Sequence, residues 1–115
     1  MESFDRLRER ADEIRDLLGL LGSSRTRFLI VARLAQGECS VSDLSQAVGM
    51  EQSSVSQHLR RLRSAGLVRP RRSHRRVYYS LADDRVGALM SALDLLLADG
   101  DEEFIAALRA GRRKM

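Results

Sequence analysis

Two apolar stripes at helical spacing, separated by a glycine, constrain this chain more than any other feature. They lie in residues 41–65, VSDLSQAVGMEQSSVSQHLRRLRSA. Val41, Leu44, Ala47 and Val48 recur at i, i+3, i+6 and i+7, which places them on one face of a helix. Ser40 or Ser42 can cap that helix, because a short hydroxyl side chain accepts a bond from an orphan N–H of the first turn. Gly49 follows the last apolar residue, where a left-handed backbone ends a helix. A second helix is predicted to begin between Glu51 and Ser53, with Val55, Leu59 and Leu62 as its buried stripe and Gly66 at its end. Ser53, Ser54, Ser56, Gln57, His58, Arg60, Arg61 and Arg63 are left facing outward or sideways. Two short helices joined by a tight turn, the second bearing hydroxyl, amide and cationic side chains, form the layout of a helix-turn-helix that sets its second helix in a DNA groove.

Charge supports the same reading. From Gln52 to Ala82 there are eight arginines and no carboxylate. A solvated helix or hairpin normally mixes both signs, so a one-sign block implies a polyanionic partner. The net charge of +4 conceals this segregation: residues 52–82 are +8 and residues 83–103 are −6. Positive potential is thereby focused on one part of the surface.

After Gly66 the period changes to two. Leu67 to Arg72 reads as one strand, Ser73-His74 as the turn, and Arg75 to Leu81 as the second strand. Val77, Tyr79 and Leu81 alternate with Arg76, Tyr78 and Ser80. The expected product is an Arg-rich hairpin, a wing, whose Arg71, Arg72, Arg75 and Arg76 bond phosphates or enter the minor groove, with His74 as a phosphate neighbour at the tip. Pro70 lacks an N–H and suits an edge strand.

The flanks are helical. Residues 3–21 are predicted as one amphipathic helix with Phe4, Leu7, Ala11, Ile14, Leu17, Leu18 and Leu21 on its apolar side. Ser23 or Ser24 caps a helix over residues 25–35, and Asp83 or Asp84 caps another over residues 85–98. The broad stripe Val86, Leu89, Met90, Leu93, Leu96 and Leu97 exceeds what a terminal helix needs for its own core. We read it as meeting the first helix in a dimer interface built on Leu7, Ile14, Leu17, Leu18, Leu89, Leu93 and Leu96. A last short helix spans about residues 102–109, and the basic tail 111–115 is expected to be disordered. The fold class is therefore mainly α with a small β-hairpin wing, in the order α-α-α-α-β-β-α(-α), as one domain over residues 1–110.

Several functions are disfavoured. Aromatic residues are few, three Phe and two Tyr, which argues against a single-strand module built on stacked bases. No apolar run reaches membrane-spanning length and the start, MESFDRLRER, is too charged for a signal peptide, so a cytoplasmic location with no membrane partner is expected. The single cysteine, Cys39, reads as a small, partly buried hydrophobe. No Gly-rich phosphate loop is present and both histidines, His58 and His74, fall in the basic block, so an enzyme is not expected.

At this point the residues match a known pattern. The chain resembles the ArsR/SmtB family of bacterial winged-helix repressors over nearly its whole length. The resemblance is carried by Arg25-Thr26-Arg27, Ser42-Asp43-Leu44, Gly49, Gln52 through Leu59, Leu62-Arg63, Ala65 through Val68, and Val77-Tyr78-Tyr79 with Leu81. It implies a homodimeric transcriptional regulator, by default a repressor, bound to an imperfect inverted repeat in double-stranded DNA. It puts Gln52, Ser53, Ser54, Ser56, Gln57 and His58 where the family approaches bases and phosphates, with Arg60 and Arg61 beside them.

The family's sensing sites are where this chain departs. A thiolate run Cys-Val-Cys-Asp-Leu is replaced by Ser40-Val41-Ser42-Asp43-Leu44, and hydroxyls are poor ligands for soft metals. At the second site, Asp83 matches the first ligand but Arg85 stands at the histidine. A nickel or zinc effector is thus left to a carboxylate site drawn from Asp83, Asp84, Asp94, Asp99, Asp101, Glu102 and Glu103; the alternative is an acidic face that only caps helices. Two other functional readings compete: a regulator, repressing or activating, whose sensing is done by a separate partner protein, and a non-specific architectural DNA-binding protein.

Overall fold

The computed structural model describes residues 2–98, 100 and 102–114. Among them the order is α1 (Glu2–Glu9), α2 (Ala11–Gly22), α3 (Arg25–Leu34), β1 (Cys39–Ser40), α4 (Val41–Val48), α5 (Gln52–Ser64), β2 (Val68–Ser73), β3 (Arg76–Leu81), α6 (Asp84–Ala98) and α7 (Glu102–Lys114). The expected fold class holds: a mainly helical chain with a small antiparallel sheet carrying the wing.

The helix-turn-helix forms for the local reasons read above. The Ser40 hydroxyl accepts from the Asp43 N–H at 3.1 Å and caps α4. Gly49 closes α4 at φ 72°, a left-handed conformation that costs a side-chain-bearing residue about 1–2 kcal/mol. Val55, Leu59 and Leu62 of α5 are fully buried. They pack with Leu44 of α4, Ile30, Val31 and Leu34 of α3, and Val68 of β2. Ala47, expected on the buried face of α4, is exposed. The stripe narrows there because Leu44 alone reaches the core while Val41 and Val48 cover its edges.

Helix and strand boundaries also differ from expectation. The first helix is not continuous: it breaks at Arg10, whose φ of −108° and ψ of 15° separate α1 from α2. The bonds from the Arg10 N–H to Arg6 and from the Ile14 N–H to Arg10 survive, so the break is a kink. Only α2 has a core to lie on, through Leu21 with Leu17 and Leu20, whereas α1 buries nothing. A third strand, β1, pairs with β3, giving the sheet order β1-β3-β2. Two residues are too few to show alternation, and β1 exists because β3 supplies its partner. Finally, α7 does not stop near Arg109 but runs through Gly111 to Lys114, where the sequence suggested a loose tail. A mid-helix glycine costs about 1 kcal/mol relative to alanine, and a cationic end such as Arg112 is favoured by the helix dipole.

The wing is a tight hairpin. Ser73 pairs with Arg76, so the turn residues are His74 and Arg75, one position later than expected. His74 sits at φ 58°, a conformation in which His is less rare than most side chains. β2 is an edge strand, as Pro70 suggested. Tyr79 and Leu81 turn inward against the core.

Candidate nucleic-acid interface

The outer side of α5 is a polar ridge. Gln52, Ser53, Gln57, Arg60 and Arg61 are exposed, while Ser54, Ser56 and His58 are half-buried along its flanks. The buried stripe of Val55, Leu59 and Leu62 on the opposite side fixes which side chains can face outward. Burial holds His58 below its ordinary pKa, and the nearby Arg27 and Arg61 charges add to this. The imidazole is therefore biased toward its neutral form in the free protein.

The wing meets the start of this helix across a cleft of about 430 Å³, lined by Gln52 and Ser56 of α5, Arg75, Arg76 and Val77 of the wing, and residues 40–43 at the start of α4. Arg72, His74, Arg75 and Arg76 are all exposed. The structure thus brings the amide and hydroxyl groups of α5 and the guanidinium groups of the hairpin onto one surface, as two separate runs of sequence suggested.

Arg71 differs from the other wing cations. Its Nε and Nη2 donate to the two carboxylate oxygens of Glu38 at 2.9 and 2.7 Å, and its guanidinium lies 4.9 Å from the Tyr78 ring centroid. The pairing pulls the Glu38 carboxyl below its usual range and raises Arg71. Glu38 was not among the residues singled out by sequence. Another unforeseen residue is Arg27, a buried cation in α3. Its Nε donates to the Leu20 carbonyl at 2.5 Å and its Nη2 to the Ser23 hydroxyl, tying the end of α2 to the start of α3. Its place in an arginine pair before an apolar run gave no sign of burial, since arginine is rarely buried without a carboxylate.

The residues considered for sensing have other partners. Ser40 is buried and its hydroxyl is the cap of α4. Cys39 is also buried, opposite Tyr79, and burial pushes its thiol up, away from the reactive thiolate. Asp83 accepts from the Arg85 backbone N–H at 2.8 Å and from the Arg85 guanidinium at 2.6 Å. The side-chain and backbone bonds from Arg85 pull it down to about 2. The Arg85 guanidinium thus pairs with the Asp83 carboxylate, and a cation at that position would have to displace it. Among the described residues no three Cys, His, Asp or Glu side chains converge. Asp94, Glu102 and Glu103 are exposed, and Asp99 and Asp101 lie outside the described residues.

A second surface is apolar. Leu7, Leu18 and Leu96, three of the expected dimer residues, are exposed, and so are Phe4, Leu95, Leu97 and Leu108, from 43% at Leu97 to 75% at Leu95. Ile14 is half-buried, and Leu17, Leu89 and Leu93 spend part of their surface on the chain's own core. Between α3 and α6 this apolar surface continues into a groove of about 450 Å³ that includes Phe28, Ala32, Met90 and Leu97. Monomers seldom leave so many large apolar side chains in water.

Residues 24–69 match the model of the bacterial regulatory proteins of the arsR family. The chain is 37% identical over 87 residues to a biofilm growth-associated repressor of Xylella fastidiosa, covering 76% of this chain and 75% of that protein. Its fold is similar to the crystal structure of the transcriptional repressor BigR from Xylella fastidiosa, with a TM-score of 0.75 and 34% identity over 81% of this chain and 94% of that one. It is also similar to a homodimeric winged helix-turn-helix DNA-binding domain from Mycobacterium bovis, with a TM-score of 0.63 and 35% identity over 83% of this chain and 90% of the other.

Proposed function

This chain belongs to the arsR family of bacterial regulatory proteins, and from that premise we propose that it is a homodimeric repressor that binds an inverted-repeat operator. It is a DNA-binding regulator of transcription with the winged helix-turn-helix fold. The observation that carries the finer reading is the shared cleft: Gln52 and Ser56 of α5 face Arg75 and Arg76 of the wing across it. In our reading α5 enters the major groove, where amides and hydroxyls bond base edges, and the wing cations hold phosphates. Ser53, Ser54, Gln57 and His58 share the α5 contact, and Arg60, Arg61, Arg72 and His74 flank it. Two such helices in a dimer reach successive major grooves about 34 Å apart. The apolar surface on α1, α2 and α6 is the dimer face. A regulator of this kind works in the cytoplasm, and no described helix is long and apolar enough to cross a membrane.

Two substitutions separate base reading from anchoring. Gln57→Ala should relax sequence preference by about 1–3 kcal/mol while leaving binding to random DNA nearly unchanged. Arg75→Ala should weaken binding to all sequences alike and lower the salt slope by about one unit per protomer. Fluorescence-anisotropy titrations of the region upstream of the gene and of a scrambled duplex, at two salt concentrations, read both effects. The reverse pattern would exchange the two roles. Equal affinity of the unaltered protein for both duplexes would replace the operator reading with the architectural one.

Repeating the titration with zinc, nickel, cobalt and a thiol oxidant tests the effector. Release of the operator by one of them names the signal. Binding that none of them alters favours a separate sensing partner. A promoter fusion that falls silent without the protein would turn repression into activation.

A further inference from the structure

We propose that Glu38 is an affinity-setting residue: its carboxylate occupies Arg71 in place of a DNA phosphate and so keeps one wing cation out of sequence-independent binding. The inference rests on the DNA-binding reading and adds a residue that lies outside the helix-turn-helix and the wing.

The geometry is that of a phosphate contact made internally. A carboxylate presents two oxygens to the planar fork of a guanidinium much as a phosphate does. Glu38 uses both of its oxygens on Nε and Nη2 of Arg71, at 2.9 and 2.7 Å. The sheet arranges the meeting. Arg71 of β2 is the register partner of Tyr78 in β3, and Tyr78 is the partner of Ser40 in β1. Glu38 immediately precedes β1 and so lies beside this rung of the sheet. Arg71 therefore reaches across the Tyr78 ring to Glu38, and the ring face adds a cation–π contact.

The pair is electrically neutral, and a neutral pair releases no counterions from DNA. The other wing cations have no such carboxylate partner among the described residues: Arg69 donates to the Ala82 carbonyl, and Arg72, Arg75 and Arg76 are exposed, so these charges supply the non-specific attraction. Both members of the pair are accessible, with side-chain exposures of 55% for Arg71 and 36% for Glu38, so a phosphate can compete for the guanidinium. Holding Arg71 on Glu38 lowers affinity for every sequence equally. It thereby sets overall affinity and its salt dependence, while the ratio between operator and random DNA is left to the base contacts of α5.

The test is a double-mutant cycle read by salt dependence. Unaltered protein, Glu38→Ala, Glu38→Gln, Arg71→Ala and the Glu38→Ala/Arg71→Ala pair are titrated against operator and scrambled duplexes between 50 and 200 mM salt. Glu38→Ala should bind both duplexes more tightly and steepen the salt slope by about one unit per protomer. For a dimer, its gain should be about tenfold larger at 50 than at 200 mM salt. Glu38→Gln keeps the shape of the side chain without its charge and should show the same direction. Arg71→Ala alone should change the slope little, and adding it to Glu38→Ala should erase the gain. An unchanged or shallower slope in both Glu38 variants overturns the proposal. A gain that persists without Arg71 also overturns it, because the carboxylate would then act only as a general repulsive charge. Absence of salt-dependent binding in the unaltered protein would instead defeat the DNA-binding reading on which the proposal stands.

Discussion

Leu96→Glu should run as a monomer at micromolar concentration and lose on the order of 10²–10⁴ of its operator affinity. Leu96 is exposed on α6 and does not belong to the buried cluster, so a carboxylate there leaves the single-chain core intact. In a dimer the same position would bury a charge against an apolar partner, which costs several kcal/mol unless it is paired. The DNA effect exceeds the direct loss of contacts. Two linked reading heads gain from effective concentration, since the first half-site engaged holds the second head near its own. A separated monomer forfeits that gain. Leu18→Glu on α2 should behave alike because Leu18 is equally free of the core. Analytical ultracentrifugation paired with anisotropy checks both. If either variant remains dimeric, the dimer face lies away from that helix.

Leu62→Ala should cost about 2–5 kcal/mol of folding stability. Leu62 is fully buried on the inner side of α5, within the cluster formed with α3, α4 and β2. Truncation removes the transfer energy of the lost methyl groups and leaves a cavity that helices pinned on several sides close only in part. A domain of this size has about 5–15 kcal/mol in total, so the loss is a large share of it. Urea unfolding at one fixed protein concentration should show the midpoint falling by on the order of 1 M. The concentration is fixed because dimerisation itself adds apparent stability. A cost below about 1 kcal/mol would mean that α5 is not clamped to the core as described. Leu62 is buried away from the outward face of α5, so any lost affinity would report on how rigidly the helix is held.

Most of the architecture was legible because the relevant forces act over a few residues. The buried stripe of α5, the Ser40 cap, the turn at Gly49 and the inward set of Tyr79 and Leu81 are patterns within a turn or a strand, although Val77, expected beside them, does not join the core cluster. The polar ridge of α5 was legible for the same reason: once Val55, Leu59 and Leu62 face inward, helical geometry leaves Ser53, Gln57 and Arg61 outside. The kink at Arg10 was not legible, since Phe4 and Leu7 continue the spacing of Ile14, Leu17 and Leu21 without a break. Periodicity says which face is apolar, but not where the core beneath it ends.

The sequence alone determined the elements, their caps and the sign of charge along the chain, since each rests on hydrogen bonds or side-chain spacing among near neighbours. Tertiary structure decided which cations are free. Arg71 and Arg75 look alike in sequence, yet Arg71 is held by a carboxylate 33 residues away. Arg27 is buried on the carbonyl end of α2, while Arg25, two positions earlier, is exposed. Coulomb attraction and desolvation depend on distance and on water in three dimensions, and only the packed sheet and helices set those.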